Sequence, residues 1–150
     1  MNTLLKWLSV TERFSKLYLD KQLAAWGINS SQHMFLIKIC EHPSIAQDSL
    51  MDTMYLHPSN IVRTVAALEN KGLLIRKPCQ EDKRTCLLYP TPQAIAIITD
   101  VESACTQTEA VLLQGFSQEE QEQFEASLMR MGKNITSSMQ IYREEDEFDA

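Results

Sequence analysis

The sequence predicts a mainly α-helical (α+β) chain, a winged helix-turn-helix with dimerisation helices added at the N- and C-terminal ends. Three observations predict it. Helical periodicity fills residues 3–71 and resumes after residue 92. Between those stretches, two short aliphatic runs, LLIRKPC (73–79) and TCLLY (85–89), flank the polar loop QEDKR, which is the pattern of a β-hairpin. Positive charge gathers in the same region. Residues 56–89 carry six basic side chains (Arg63, Lys71, Arg76, Lys77, Lys83 and Arg84) against three acidic, while 1–55 balance five against five and 90–150 carry three against twelve. The net charge of −6 therefore conceals a local positive excess, and phosphate binding depends on where that excess sits.

Size and composition bound the rest. A chain of 150 residues with 44% hydrophobic side chains can bury a core but has no room for a catalytic domain beside a binding one. No stretch approaches the about 18 uninterrupted apolar residues that a bilayer span needs. The opening MNTLLKWLSVTERF is interrupted by Lys6, Glu12 and Arg13, with no small-residue cleavage site, so a cytoplasmic protein without a membrane partner is expected. Four glycines, with no phosphate-cradling loop, G-x-S-x-G or H-E-x-x-H, leave an enzyme reading unsupported, and no cofactor is expected. Cys40, Cys79, Cys86 and Cys105 form no C-x-x-C pair, and His33, His42 and His57 share no helix face, so no metal is expected.

The elements follow in order. Residues 3–25 place Leu4, Leu5, Leu8, Phe14, Leu17 and Tyr18 around most of a helix, as expected where one side faces its own domain and another a partner subunit. Gly27 stops it. Ser30 or Ser31 caps a second helix to about Glu41, with Met34, Phe35, Leu36, Ile37 and Ile39 as its core, and His42-Pro43 ends it. A short helix spans 47–54. His57-Pro58-Ser59-Asn60 opens the next, with proline in the first turn where its missing N–H is no loss, and Gly72 closes it. After the hairpin, 92–114 form a long helix through Ile95, Ile98, Val101 and Cys105. Ser117-Gln-Glu-Glu is a capping box that opens a last helix to about residue 142, followed by an acidic tail. The domain reading is 1–28 and 115–150 for dimerisation, 29–92 for the winged helix-turn-helix, and 92–114 as a connecting helix.

On helix 58–71, Ile61, Val65 and Leu68 fall on one face and should meet the core. Ser59, Asn60, Arg63, Thr64 and Ala67 gather opposite. Short polar side chains around one arginine suit a helix inserted in the ~12 Å major groove of double-stranded DNA, where Arg grips guanine and Asn pairs with adenine. Lys83 and Arg84 stand at the hairpin tip, where an arginine can enter a narrow minor groove. Asp82 would repel phosphate directly, so its expected role is to pair with Arg84 and fix its direction.

The stretch from Leu56 to Arg76, LHPSNIVRTVAALENKGLLIR, resembles the recognition helix and first wing strand of the MarR (multiple antibiotic resistance regulator) family, with Leu68-Glu69, Lys71-Gly72-Leu73 and Arg76 in place. Glu81-Asp82-Lys83-Arg84, followed by Leu87-Leu88 and Thr91, resembles the family's wing, and Gly27-Ile28 and Gln32 fit upstream. The resemblance covers about residues 27–94. It implies a homodimeric transcriptional regulator on a pseudo-palindromic operator, with a helix in each major groove and a wing in each minor groove. Two departures stand out. His57-Pro58 alters how the recognition helix begins, and Pro90 is expected to end the second wing strand early.

Relatives respond to small aromatic or phenolic ligands or to oxidants, so a repressor released by a small-molecule effector is the leading expectation. Trp7, Phe14, Tyr18, Trp26 and His33 are candidates to line a cleft between the first, second and post-wing helices, with core or interface packing as the plain alternative. A redox alternative places Cys79 and Cys86 on facing wing strands. A third reading, a winged helix used for protein contact, predicts an apolar wing rather than this basic one.

Overall fold

The computed structural model describes residues 2–139. The expected helix end near residue 142 and the acidic tail, including Glu144 to Asp149, lie outside the described residues. Residues up to Leu112 form one compact unit and residues from Leu113 a second.

In the first unit, α1 (Thr3–Leu23) runs into a 3₁₀ turn, Ala24–Trp26, and stops at Gly27, whose φ of 69° is a left-handed conformation that glycine adopts without a Cβ clash. Next come α2 (His33–Glu41), β1 (Ile45–Ala46), α3 (Ser49–Met54), α4 (Pro58–Asn70), β2 (Leu74–Pro78), β3 (Cys86–Pro90) and α5 (Pro92–Leu112). The sheet order is β1-β3-β2, both pairings antiparallel. Strand β1 has no counterpart in the sequence pattern. Two residues carry no readable period, and only their pairing with Leu87 and Leu88 makes them a strand.

The core is shared among distant segments. Leu19 and Leu23 of α1, Phe35, Leu36 and Ile39 of α2, Ile61, Val65 and Leu68 of α4, Leu88 of β3 and Val101 of α5 are all buried together. Helices α1 and α2 both pack on α5. Burying apolar area stabilises such a unit by about 25 cal/mol per Å². Two expectations about α2 need correction. Met34 is 55% exposed, because the face holding Phe35, Leu36 and Ile39 leaves it turned away. Neither Ser30 nor Ser31 caps the helix. Gln32 occupies that place, while Asn29 Oδ1 accepts from Ser31 N and Ser31 Oγ, and Asp20 Oδ1 accepts from Ser30 N at 2.6 Å.

Strand β3 also runs through Pro90 instead of ending early. Thr91 N donates to Leu73 O, so the neighbouring Leu74–Pro90 pair is one whose backbone N atoms point away from each other. The absent N–H of Pro90 thus faces the side of β3 that β1 has already left, since β1 reaches only Leu88. No ladder bond is lost.

In the second unit, α6 (Gln118–Ser138) begins with the expected capping box. Ser117 Oγ accepts from Glu120 N at 3.2 Å, and Glu120 Oε2 accepts from Ser117 N at 2.7 Å. Phe116 and Phe124 pack with ring centroids 6.0 Å apart. Among the described residues, no helix is long and apolar enough to cross a membrane.

Candidate nucleic-acid interface

Helix α4 is held at its start by His57. The imidazole Nδ1 accepts from Ser59 N at 3.2 Å and lies 2.7 Å from Ser59 Oγ, so a histidine serves as the N-cap and Pro58 takes the first helical position. The departure noted in the sequence therefore alters the cap and leaves the helix intact. Ile61, Val65 and Leu68 are buried as the periodicity predicts. Ser59 and Arg63 are exposed on the other side, and Asn60 and Thr64 are half-buried. Arg63 Nη2 donates to Asn60 Oδ1 at 2.6 Å, which holds these two side chains side by side on the outer surface.

Three of the basic residues in the positive window are engaged locally. Lys71 donates to the Gly27 carbonyl and to Gln32 Oε1. Arg76 of β2 grips Glu69 of α4 with two bonds, Nε to Oε2 at 3.1 Å and Nη2 to Oε1 at 2.8 Å. That hydrogen-bonded pairing holds the Glu69 carboxyl below its ordinary range and lifts the Arg76 guanidinium. Lys77 lies 5.0 Å from the ring centroid of Tyr89. In the sequence all six stand alike as positive charge. The partners of Lys71, Arg76 and Lys77 lie on other elements, which a linear count cannot show.

The wing tip is ordered by Asp82. Its Oδ1 accepts from Arg84 N at 3.0 Å and lies 3.5 Å from Arg84 Nε, while Asp82 O accepts from Thr85 N at 2.9 Å. The side chain of Arg84 is nevertheless 95% exposed. An exposed ion pair contributes little energy, so the backbone bond is the part that shapes the loop. Arg84 and the exposed Lys83 project from it.

The cysteine expectation is corrected by strand register. Cys86 lies opposite Pro78, and Cys79 bonds to Thr85 one position further on. Cys79 stands one position past the end of β2, so the two cysteines are not paired across the ladder. Burial pushes the Cys86 thiol up, away from the thiolate form.

The expected ligand cleft is also redrawn. A groove of about 470 Å³ lies between α1 and α5, walled by Val10, Phe14, Leu17, Tyr18, Thr108 and Leu112 among others, without a contribution from α2. Trp7 is exposed near the start of α1, and Trp26 packs against the core. His33 has Nδ1 2.8 Å from Ser30 O, and burial holds its pKa below the ordinary value. Of the five candidates, Phe14 and Tyr18 line the groove.

With this geometry in hand, comparison with known proteins gives a consistent result. Residues 28–86 match the MarR family. The chain is 25% identical over 135 residues, 90% of each protein, to the uncharacterized HTH-type transcriptional regulator YybA of Bacillus subtilis (strain 168). Its fold is similar to the crystal structure of the transcriptional regulator SlyA, with a TM-score of 0.86 at 20% identity over 95% of this chain and 100% of that one. It is similar as well to a MarR family regulator from Listeria monocytogenes solved in complex with a 26mer DNA, with a TM-score of 0.84 at 23% identity over the whole of both chains.

Proposed function

Since the chain belongs to the MarR family of winged helix-turn-helix, DNA-binding transcriptional regulators, we propose that it acts as a homodimeric repressor of a pseudo-palindromic operator, released by a small aromatic or phenolic ligand. Helix α4 lies in the major groove with Ser59, Asn60, Arg63 and Thr64 at base edges, and the wing carries Lys83 and Arg84 to the minor groove. Two-fold symmetry sets the half-sites about one helical turn, ~10 bp, apart. The observation that carries this reading is α4 itself: its core face is filled by Ile61, Val65 and Leu68, its polar Ser59–Arg63 side is left outward, and Arg84 stands 95% exposed at the tip of the following hairpin. A relative of the same fold solved with a 26mer DNA supports DNA as the partner.

The effector belongs in the apolar groove between α1 and α5, where Phe14 and Tyr18 offer aromatic faces. A ligand there releases DNA only by binding the DNA-incompetent arrangement more tightly. The test is fluorescence anisotropy on a duplex from the gene's upstream region, against a scrambled duplex, at several salt concentrations. Specific binding that weakens about tenfold or more in Arg84→Ala supports the reading. Equal, weak binding of both duplexes removes it.

A further inference from the structure

The outward side of α4 carries an apolar side chain that the polar reading leaves without a task. Val62 is 52% exposed, while the core face of the helix is already filled by Ile61, Val65 and Leu68. At 100° per residue, Val62 stands about 60° around the helix from Ser59, on the side away from Arg63. Along α4, Ser59, Val62 and Arg63 are exposed, while Asn60 and Thr64 are half-buried. A lone surface valine needs no explanation in general. One next to Ser59 on a DNA-reading helix has a specific chemical neighbour.

We infer that Val62 is a specificity-determining residue that contacts the 5-methyl group of a thymine in each half-site. The hydroxyl, amide and guanidinium groups of Ser59, Asn60 and Arg63 can satisfy donors and acceptors on base edges, but none of them recognises that methyl. In the major groove the methyl is the one apolar feature of a base pair, and it is met by apolar side chains. Valine suits the task because its branched Cβ confines it largely to one rotamer in a helix, so little freedom is lost on contact. Ala66, one turn further and half-buried, continues the same apolar strip. This inference rests on the proposed DNA-reading function and names what that function selects.

The experiment starts from duplexes selected by the wild-type protein out of a random pool. Each thymine is then exchanged for deoxyuridine, which removes only the methyl and keeps every hydrogen-bonding group. Affinities are measured for wild type, Val62→Ala and Val62→Thr. One thymine position per half-site is expected to cost wild type about fourfold, and exchange in both half-sites about fifteenfold, the worth of one buried methyl each. Val62→Ala binds the unmodified duplex less tightly and is indifferent to the exchange at that position, and Val62→Thr, which keeps one methyl, falls between. Wild type that tolerates every deoxyuridine, or Val62→Ala that keeps the full loss, overturns the inference while DNA reading stands. A pool that yields no preferred duplex overturns the DNA-reading function and this inference with it.

Discussion

Lys71 holds Gly27: its ammonium Nζ lies 2.5 Å from the Gly27 carbonyl oxygen and 2.7 Å from Gln32 Oε1. One side chain thus ties the end of α4 to the point where α1 gives way to α2. Gln32 is buried, so removing the ammonium leaves a polar group short of a partner. Lys71→Met is expected to lower unfolding stability by about 1–2 kcal/mol, and urea denaturation measures it. Its effect on DNA affinity should change little with salt, in contrast to a lost phosphate contact. A salt slope reduced as in Arg84→Ala would instead make Lys71 a DNA ligand.

Asp82 sets two effects against each other. Simple charge reasoning says that removing an acid beside a polyanion tightens binding. The structure says the acid holds the wing loop through Arg84 N and Thr85. Loop order should win, because an unconstrained arginine must be immobilised on binding. Asp82→Ala is therefore expected to bind the operator several-fold more weakly despite its more positive charge. Tighter binding by anisotropy would show that the loop needs no such support.

Much of this architecture is legible in the sequence, and the exceptions share a cause. The Ser117 capping box and the buried Ile61-Val65-Leu68 face depend on residues within a turn or two of each other, so the sequence displays them directly. The facing of Cys79 and Cys86, the tolerance of Pro90 and the existence of β1 depend on strand register. Register is fixed by the loop and by cross-strand packing, and no single strand displays it. Likewise the groove joins Phe14 to Thr108, partners that only the helix packing brings together.

The Glu69–Arg76 pair gives a signed pH dependence. Its carboxyl titrates below the ordinary range when folded, so its contribution is full above the unfolded value of about 4.3 and fades as pH falls through the lower folded value. Both side chains are about a third or more exposed, so the effect is small. Glu69→Gln should lose stability at neutral pH and show a shallower decline in acid below about pH 4.5 than wild type. Parallel curves from pH 7 to 3 would mean the pair adds nothing.

Backbone strain offers a stabilising change. Ser44, between α2 and β1, has φ 72°, a left-handed conformation that costs a residue with a Cβ about 1 kcal/mol or more. Its N–H still donates to Leu88 O, so the conformation anchors β1 against β3. Ser44→Gly should keep that bond and raise stability by up to ~1 kcal/mol, offset in part by the freer unfolded chain. Ser44→Val, branched at Cβ, should lower it. Thermal melts of the two variants in parallel distinguish strain relief from a mere loss of the hydroxyl.

On α1, Leu4, Leu5, Trp7, Phe14 and Leu17 are exposed, and on α6 so are Phe124, Leu128, Met129 and Ile135. A monomer in water gains nothing by displaying so many large apolar side chains along two helices, and such patches mark surfaces that another chain covers. The core explains none of them, since α1 contributes only Leu19 and Leu23 to it. A charge placed in a dimer seam costs several-fold more than one on a wet helix, because it must be desolvated without a partner. Leu5→Glu and Leu128→Glu should each lie further toward monomer than wild type in sedimentation equilibrium, while far-UV circular dichroism of the winged helix persists. Operator affinity should fall toward that of a single half-site, since linking two half-sites in one assembly is what multiplies weak contacts into specific binding. Variants that stay dimeric with unchanged operator affinity would place the two-fold contact on some other surface of the chain.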